Sequence, residues 1–390
     1  MQLAVSANMR MIFALTLVHF TGDLYSAFIS PLFPAFVDRL GLTLTQVGIV
    51  AGTARFLAFI VQPTVGYFAD RFQSRIFPLG GLVLAVVFIP LAGVAPTFWF
   101  LLLMVAVGSV GSSMFHPSVT GMIPLFAGRQ AGLCMSIFNT GGTFAFAVGP
   151  VFVTAYVARF GLAALPWTMV FGLGVMAYLY RVLPQPQSEG LAALGFRRAL
   201  KDSLGHVWRI LVLIWLVMVM RALVGQSFLT FMPVLMVQEG HSLTGAGGWF
   251  ALFTVAGTLS GLTAGHLADR IGFKPVFLAA HLMMTPALYL LLACRGNWVY
   301  LGSFVAGFAV LASLPLGVAM AQQLAPRGRA MVASLMMGLA YGLGGLFTPA
   351  VGWLADHYGV RAVLYGVAWI PLLTVVLVMM FPKVRSGQVG

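Results

Sequence analysis

The sequence predicts an all-α membrane protein of twelve transmembrane helices arranged as two pseudo-symmetric six-helix bundles. Three observations carry that expectation. Of 390 residues, 61% are hydrophobic and 7% charged, and the mean hydropathy is +1.00; a water-facing surface takes about 25% charge. The apolar residues gather into twelve runs long enough to cross a bilayer, and short motifs recur at a displacement of 199 or 200 residues. A net charge of +13 suggests nucleic acid in a soluble chain, but here the basic residues sit in short gaps between apolar runs. Topology signals occupy such gaps, so the partner is the lipid bilayer and not nucleic acid. Cys134 and Cys294 are far apart in apolar runs, which gives neither a metal cluster nor a disulfide framework.

A spanning helix needs about 20 apolar residues, because each backbone amide must find its partner inside the segment. The expected spans are 10–37, 46–69, 76–95, 97–125, 130–157, 163–183, 207–237, 246–268, 275–294, 297–324, 330–355 and 362–381. The first is too long for a signal peptide, lacks an A-x-A-like end and carries His19 and Asp23 inside it, so it is read as retained.

The basic residues that bound the spans fix the orientation. With both termini cytoplasmic, Arg10 opens the first span, Arg71 and Arg75 follow the second, and Arg129 follows the fourth. Arg181, Arg197, Arg198, Lys201 and Arg209 surround the middle of the chain; Arg270 and Lys274, Arg327 and Arg329, and Lys383 and Arg385 fall on the same side. Only Arg39, Arg159, Arg295 and Arg361 lie outside, a bias of 15 to 4. That bias fixes a multi-pass topology with both ends inside, and the expected location is the cytoplasmic (inner) membrane.

The polar stretch 184–206 holds Pro184, Pro186, Ser188, Glu189 and Asp202 and reads as a cytoplasmic linker, with a surface helix over Ala199–Arg209. It separates an N-terminal six-helix bundle, 1–183, from a C-terminal one, 207–390. Internal repeats support this division. Gly66-Tyr-Phe-Ala-Asp70-Arg71 recurs as Gly265-His-Leu-Ala-Asp269-Arg270, Pro34 as Pro233, Gly128-Arg129 as Gly328-Arg329 and Pro150 as Pro349.

Seven of the eight acidic residues fall at helix ends or in loops, and Asp23 alone is deep. A charge at the centre of a spanning helix costs roughly 2.5–3.5 kcal/mol on insertion scales. Asp23, Arg55 and Arg221 therefore need a compensating environment. His19 and Asp23 are four apart and share a helix face. The repeat displacement sets Arg221 at the depth of Asp23, so an acid and a base are expected to face each other across the pseudo-twofold axis. Asp23 is read as the proton carrier, with His19 as its relay or hydrogen-bond partner; a permanent structural ion pair is the alternative.

In the fourth span Ser109, Ser112, Ser113, His116 and Thr120 form one polar stripe that lines water. His116, before Pro117, is a candidate for proton relay or cargo contact, or a histidine bonded to kinked backbone. Arg55 and Arg221 suit a carboxylate or phosphonate, which makes the cargo anionic or zwitterionic unless Asp23 and helix carbonyls consume them. Ser113, Asn139 and Tyr341 offer neutral hydrogen bonds to cargo, and small polar residues elsewhere serve packing.

The loop after the second span, Gly66-x-x-x-Asp70-Arg71-x-x-x-Arg75, and its copy Gly265-x-x-x-Asp269-Arg270-x-Gly272-x-Lys274 resemble the signature of the major facilitator superfamily. His19-Phe-Thr-Gly-Asp23, Gln62-Pro63-x-x-Gly66 and Gly111-Ser-Ser-Met-Phe115-His116-Pro117 look like fosmidomycin-resistance-type efflux proteins of that superfamily. Gly141-Gly142 followed by Gly149-Pro150 resembles the glycine–proline motif of drug–proton antiporters. The resemblance implies the major facilitator fold, two bundles rocking about a midplane site, and efflux with drug resistance as its outcome. The carboxylates and cations of the two loops, Asp70, Arg71, Arg75, Asp269, Arg270 and Lys274, are read as gating groups, a latch made in one conformation only.

No P-loop, H-E-x-x-H or nucleophile elbow is present, so no enzyme activity and no cofactor are expected. The expected function is proton-coupled antiport of a small anionic, zwitterionic or amphiphilic organic compound by a monomeric carrier. Two alternatives stand beside it: proton-coupled uptake of an organic anion, and a membrane redox protein with His19, His116 and His281 as haem ligands.

Overall fold

A helix whose outward face meets lipid must close all its hydrogen bonds within itself, and the described residues are mostly helical. The computed structural model describes residues 7–72, 74–128, 130–185, 207–325 and 335–382, and no strand occurs among them. Eleven helical segments are long and apolar enough to cross a membrane. The remaining expected span, 330–355, begins outside the described residues. From Leu335 it is helical, in three pieces that end at Tyr358. The expected linker and surface helix lie outside the described residues over 186–206.

Local chemistry sets the helix limits. Asn8 caps α1 (Met9–Ser26) by accepting from the Met11 amide at 3.2 Å. Pro31 has no amide proton, and its ring would meet the carbonyl of Ala27, so the first span breaks there and resumes as α2 (Ile29–Leu40). After α3 (Leu44–Phe72), a π-helical turn at Ile76–Gly80 leads into α4 (Gly81–Leu91). Thr97 caps α5 (Phe98–Thr120) through the Phe100 amide. A short α6 (Ile123–Ala127), α7 (Ala131–Phe160) and α8 (Met169–Val182) complete the first half. In the second half Ser242 caps Leu243–Ile271, which ends at Gly272 with φ +89°. That backbone favours glycine, which accounts for Gly272 in the second copy of the loop motif.

The described residues cluster into two compact units. One draws on Met1–Leu40 and Leu57–Ala193, the other on Gly41–Phe56 and Leu194–Gly390. In the first, α1 packs against α4, α5 and α7. In the second, the long helix Trp208–Gln238 packs against Ala340–Leu346 and Ile370–Met379. Large apolar side chains such as Trp99, Trp167, Leu262 and Leu373 point outward, more than 70% exposed. In water that surface would aggregate; in a bilayer it is solvated.

The first turn of α3 belongs to the second unit, and its amides are held there. Asp356, at the end of Thr348–Tyr358, accepts from Leu44 N at 2.7 Å, Thr45 N at 2.9 Å and the Thr45 hydroxyl at 2.6 Å. A carboxylate on free amides at a helix N-terminus is a favourable charge-assisted cap.

Candidate functional site

Asp23 is 4% exposed and lies on α1, one turn after His19. Its Oδ2 is 3.2 Å from His19 Nε2, and its Oδ1 is 3.1 Å from His116 Nε2 on α5. Each imidazole turns its other nitrogen to a backbone carbonyl. His19 Nδ1 is 2.9 Å from Phe138 O of α7, and His116 Nδ1 is 2.7 Å from Ser112 O. A carbonyl only accepts, so both Nδ1 atoms carry hydrogen and both Nε2 atoms face the carboxylate. Two neutral rings against an ionised carboxylate would oppose lone pairs. The contacts are fully satisfied when two further protons are shared among the three groups, as two imidazolium rings or as one with a carboxylic acid. Either way the cluster carries +1.

Packing fixes the rings. Phe138 stacks on His19 with centroids 4.2 Å apart, Phe115 stacks on His116 at 4.3 Å, and the two imidazoles meet edge to face at 5.1 Å. On α7, a Cβ at Gly142 would lie 2.6 Å from both Asp23 Oδ2 and His19 Nε2. Only a glycine admits that helix so close to the cluster. The His116 side chain is 29% exposed and forms the open side of the site.

The structure thus unites His19, Asp23 and His116. The expected partner of Asp23 was an arginine; within its own unit its partners are two histidines. Spacing on one helix could show the His19 pair, but the reach of His116 depends on how α1 and α5 approach. The carbonyls of Phe138 and Ser112 also belong to the site, and a backbone atom leaves no mark in a sequence. Ser113 turns its hydroxyl to Ser109 O at 2.8 Å, and Asn139 is exposed on α7. For the haem reading, His281 lies in the other unit with Nδ1 on Phe277 O, away from the His19 and His116 pair of the first unit.

A second cluster lies in the second unit. Arg221, 2% exposed, donates from Nε to Val310 O at 3.2 Å and from its terminal nitrogens to the Tyr341 hydroxyl at 3.2 and 3.5 Å. Its guanidinium also lies 5.2 Å from the centre of the Tyr341 ring. These neutral acceptors hold the cation without neutralising it. Arg55 lies in the part of α3 that joins this unit, its stem against Gly345.

Of the expected gating groups, the side chains of Asp70 and Arg71 lie outside the described residues. Asp269 and Arg270 are exposed. Arg75 reaches Tyr180 O at 3.4 Å, and Lys274 reaches Met379 O at 2.5 Å and Phe381 O at 2.9 Å.

A helical chain with lipid-facing walls, two units and buried ionisable clusters defines a multi-pass membrane transport protein. The comparisons name the group: the chain belongs to the Major Facilitator Superfamily, whose model matches residues 15–258 and 214–389. It is 28% identical to the fosmidomycin resistance protein of Escherichia coli over 374 residues, covering 92% of this chain and 90% of that protein. It is also 23% identical to the quinolone resistance protein NorA of Staphylococcus aureus, over 47% of each chain. Among solved structures, a bacterial homologue of the human lysosomal transporter Spinster matches with a TM-score of 0.76 at 16% identity, covering 95% of both chains. The nucleoside transporter NupG matches with a TM-score of 0.76 at 13% identity, over 97% of this chain and 100% of that one. These structures speak to the fold.

Proposed function

We propose that this protein is a proton-coupled efflux antiporter that exports a small anionic, zwitterionic or amphiphilic organic compound by alternating access. The observation that carries this reading is the buried Asp23 with each oxygen on an imidazole Nε2. A group of this kind inside a membrane needs cations for company, and protons are the cations that two histidines and a carboxylate exchange most readily. The division into halves 1–183 and 207–390, joined by the linker 184–206, the placement in the inner membrane with cytoplasmic termini, and the monomeric state belong to the same reading.

In this scheme Asp23, His19 and His116 load protons from outside and release them inside. Cargo is assigned to Arg221 with Tyr341, to Arg55, and to Ser113 and Asn139; its anionic group takes the charge that Arg221 carries among neutral acceptors. The loop groups Asp70, Arg71, Arg75, Asp269, Arg270 and Lys274 are assigned to gating. A potential of about 150 mV supplies roughly 3.5 kcal/mol per proton, enough for a gradient of about 300-fold. The resistance named in two relatives supplies the first probes, fosmidomycin and a quinolone.

The test uses everted membrane vesicles with an imposed pH gradient and each probe. The expected result is proton-driven uptake into vesicles, which corresponds to export from cells. Asp23→Asn should reduce this uptake at least tenfold while counterflow exchange of probe persists. Full proton-driven transport by Asp23→Asn would overturn the assignment, and probe moving in the same direction as the proton would replace export with uptake.

A further inference from the structure

We infer that His19, Asp23 and His116 form a binding site for one first-row transition-metal dication of the zinc class. The inference stands on geometry and does not depend on the transport reading. All three groups offer ligand atoms within 4.8 Å of one another. Zinc bonds of about 2.0–2.1 Å set tetrahedral ligand atoms about 3.3 Å apart. Each imidazole is at that separation from one carboxylate oxygen, His19 Nε2 from Oδ2 at 3.2 Å and His116 Nε2 from Oδ1 at 3.1 Å. An ion among the three groups would draw them inward from their present spread of up to 4.8 Å.

The surroundings complete the site. A histidine that binds a metal through Nε2 is oriented by a hydrogen bond from Nδ1 to a carbonyl or carboxylate. Both rings have that bond, to Phe138 O and Ser112 O. The tautomers are fixed so that both Nε2 lone pairs converge on the carboxylate, and a cation is needed between them. Two protons meet the need, and so does one dication. The exchange balances: a cluster with two shared protons carries +1, the metal complex carries +2 from the ion and −1 from Asp23, and two protons leave. The buried charge is unchanged, so the swap adds no burial penalty. Two imidazoles and one carboxylate select zinc, cobalt or nickel over magnesium or calcium. Three protein ligands leave a fourth position, and the partly exposed His116 supplies its opening. A bound dication would hold the three groups together and exclude protons from them.

The test uses the purified full-length protein, free of any affinity histidines, titrated with Co2+ and followed by its visible ligand-field spectrum. The expected result is one Co2+ per chain in a four-coordinate spectrum, displaced by stoichiometric Zn2+ but not by excess Mg2+, with proton release into weakly buffered solution. Each of His19→Gln, Asp23→Asn and His116→Gln should weaken binding at least tenfold. Changing the exposed His266 and His357 to Gln should leave it intact. His116→Cys keeps a ligand, so a thiolate-to-cobalt charge-transfer band should appear, and this checks the site even if a glutamine variant folds poorly. Wild type that binds no Co2+, or binding equally strong in the triple variant, overturns the inference. If Co2+ binds while vesicle transport ignores the pH gradient, only the transport reading fails.

Discussion

At the scale of single residues, the site depends on which atom each ring presents. His19 and His116 commit Nδ1 to carbonyls, and this leaves only Nε2 for exchange with Asp23. The geometry tolerates no intrusion from α7. Gly142→Ala would drive a methyl to 2.6 Å from Asp23 Oδ2 and His19 Nε2, both held by short contacts. It should reduce proton-driven transport at least tenfold, whereas Gly174→Ala, with nothing within 4 Å of its Cβ, should transport normally. Vesicle assays at matched expression check both. On the other unit, Tyr341→Phe removes the hydroxyl that accepts from Arg221. A hydrogen bond to a charged group contributes about 1.5–3 kcal/mol. Apparent affinity for an anionic probe should therefore change by tenfold or more, with little change for a neutral one; equal change for both would argue that the pair only supports packing. The sequence disclosed these residues because polar groups are conspicuous in apolar helices. It did not disclose that His116 joins His19 beside Asp23 within the first unit, since residues on three helices meet there only through tertiary packing.

At the scale of elements, the repeat has a structural content beyond shared letters. Arg75 bonds the carbonyl of Tyr180, and Lys274 bonds that of Met379; donors and acceptors are both displaced by 199 residues. In each unit the last cation of the loop motif thus caps the C-terminal end of that unit's last spanning helix, where the dipole favours positive charge. Lys274 engages two carbonyls at short distance and Arg75 one at 3.4 Å. Lys274→Met should therefore lower the thermal midpoint of the purified protein more than Arg75→Met, by about 0.5–1 kcal/mol of stability. A purely gating role would instead alter transport and leave the midpoint in place. Asp356 offers a parallel case: Gly352-x-x-x-Asp356 repeats the spacing of Gly265-x-x-x-Asp269, a match the sequence contained but whose use depended on the N-terminus of α3 lying within reach. Removing this cap by Asp356→Ala should cost about 1 kcal/mol or more, read from the same melting curve.

At the scale of the whole molecule, the helical spans were legible because lipid imposes one rule on every residue of a spanning segment. Length, hydropathy and flanking charge then carry the signal together. The breaks inside the spans were harder, since Pro31 ends one helix while Pro34, Pro150 and Pro233 stay within theirs. Neighbouring helices, Ser and Thr side chains and local backbone adjustment can each satisfy a freed carbonyl in a spanning helix, and a single segment does not encode which of them is at hand. Orientation rests on charge alone: 15 lysines and arginines against 4. Each cation at the helix centre costs roughly 2.5–3.5 kcal/mol on insertion scales, so inverting the chain would carry many such groups across in exchange for few. Replacing Cys134 and Cys294 gives a background for single-cysteine labelling. Pro96→Cys and Asn297→Cys should react with an impermeant maleimide on intact cells. Ser188→Cys and Ser386→Cys should react only after permeabilisation. The reverse pattern would reject cytoplasmic termini and, with them, the direction in which Asp23 receives its protons.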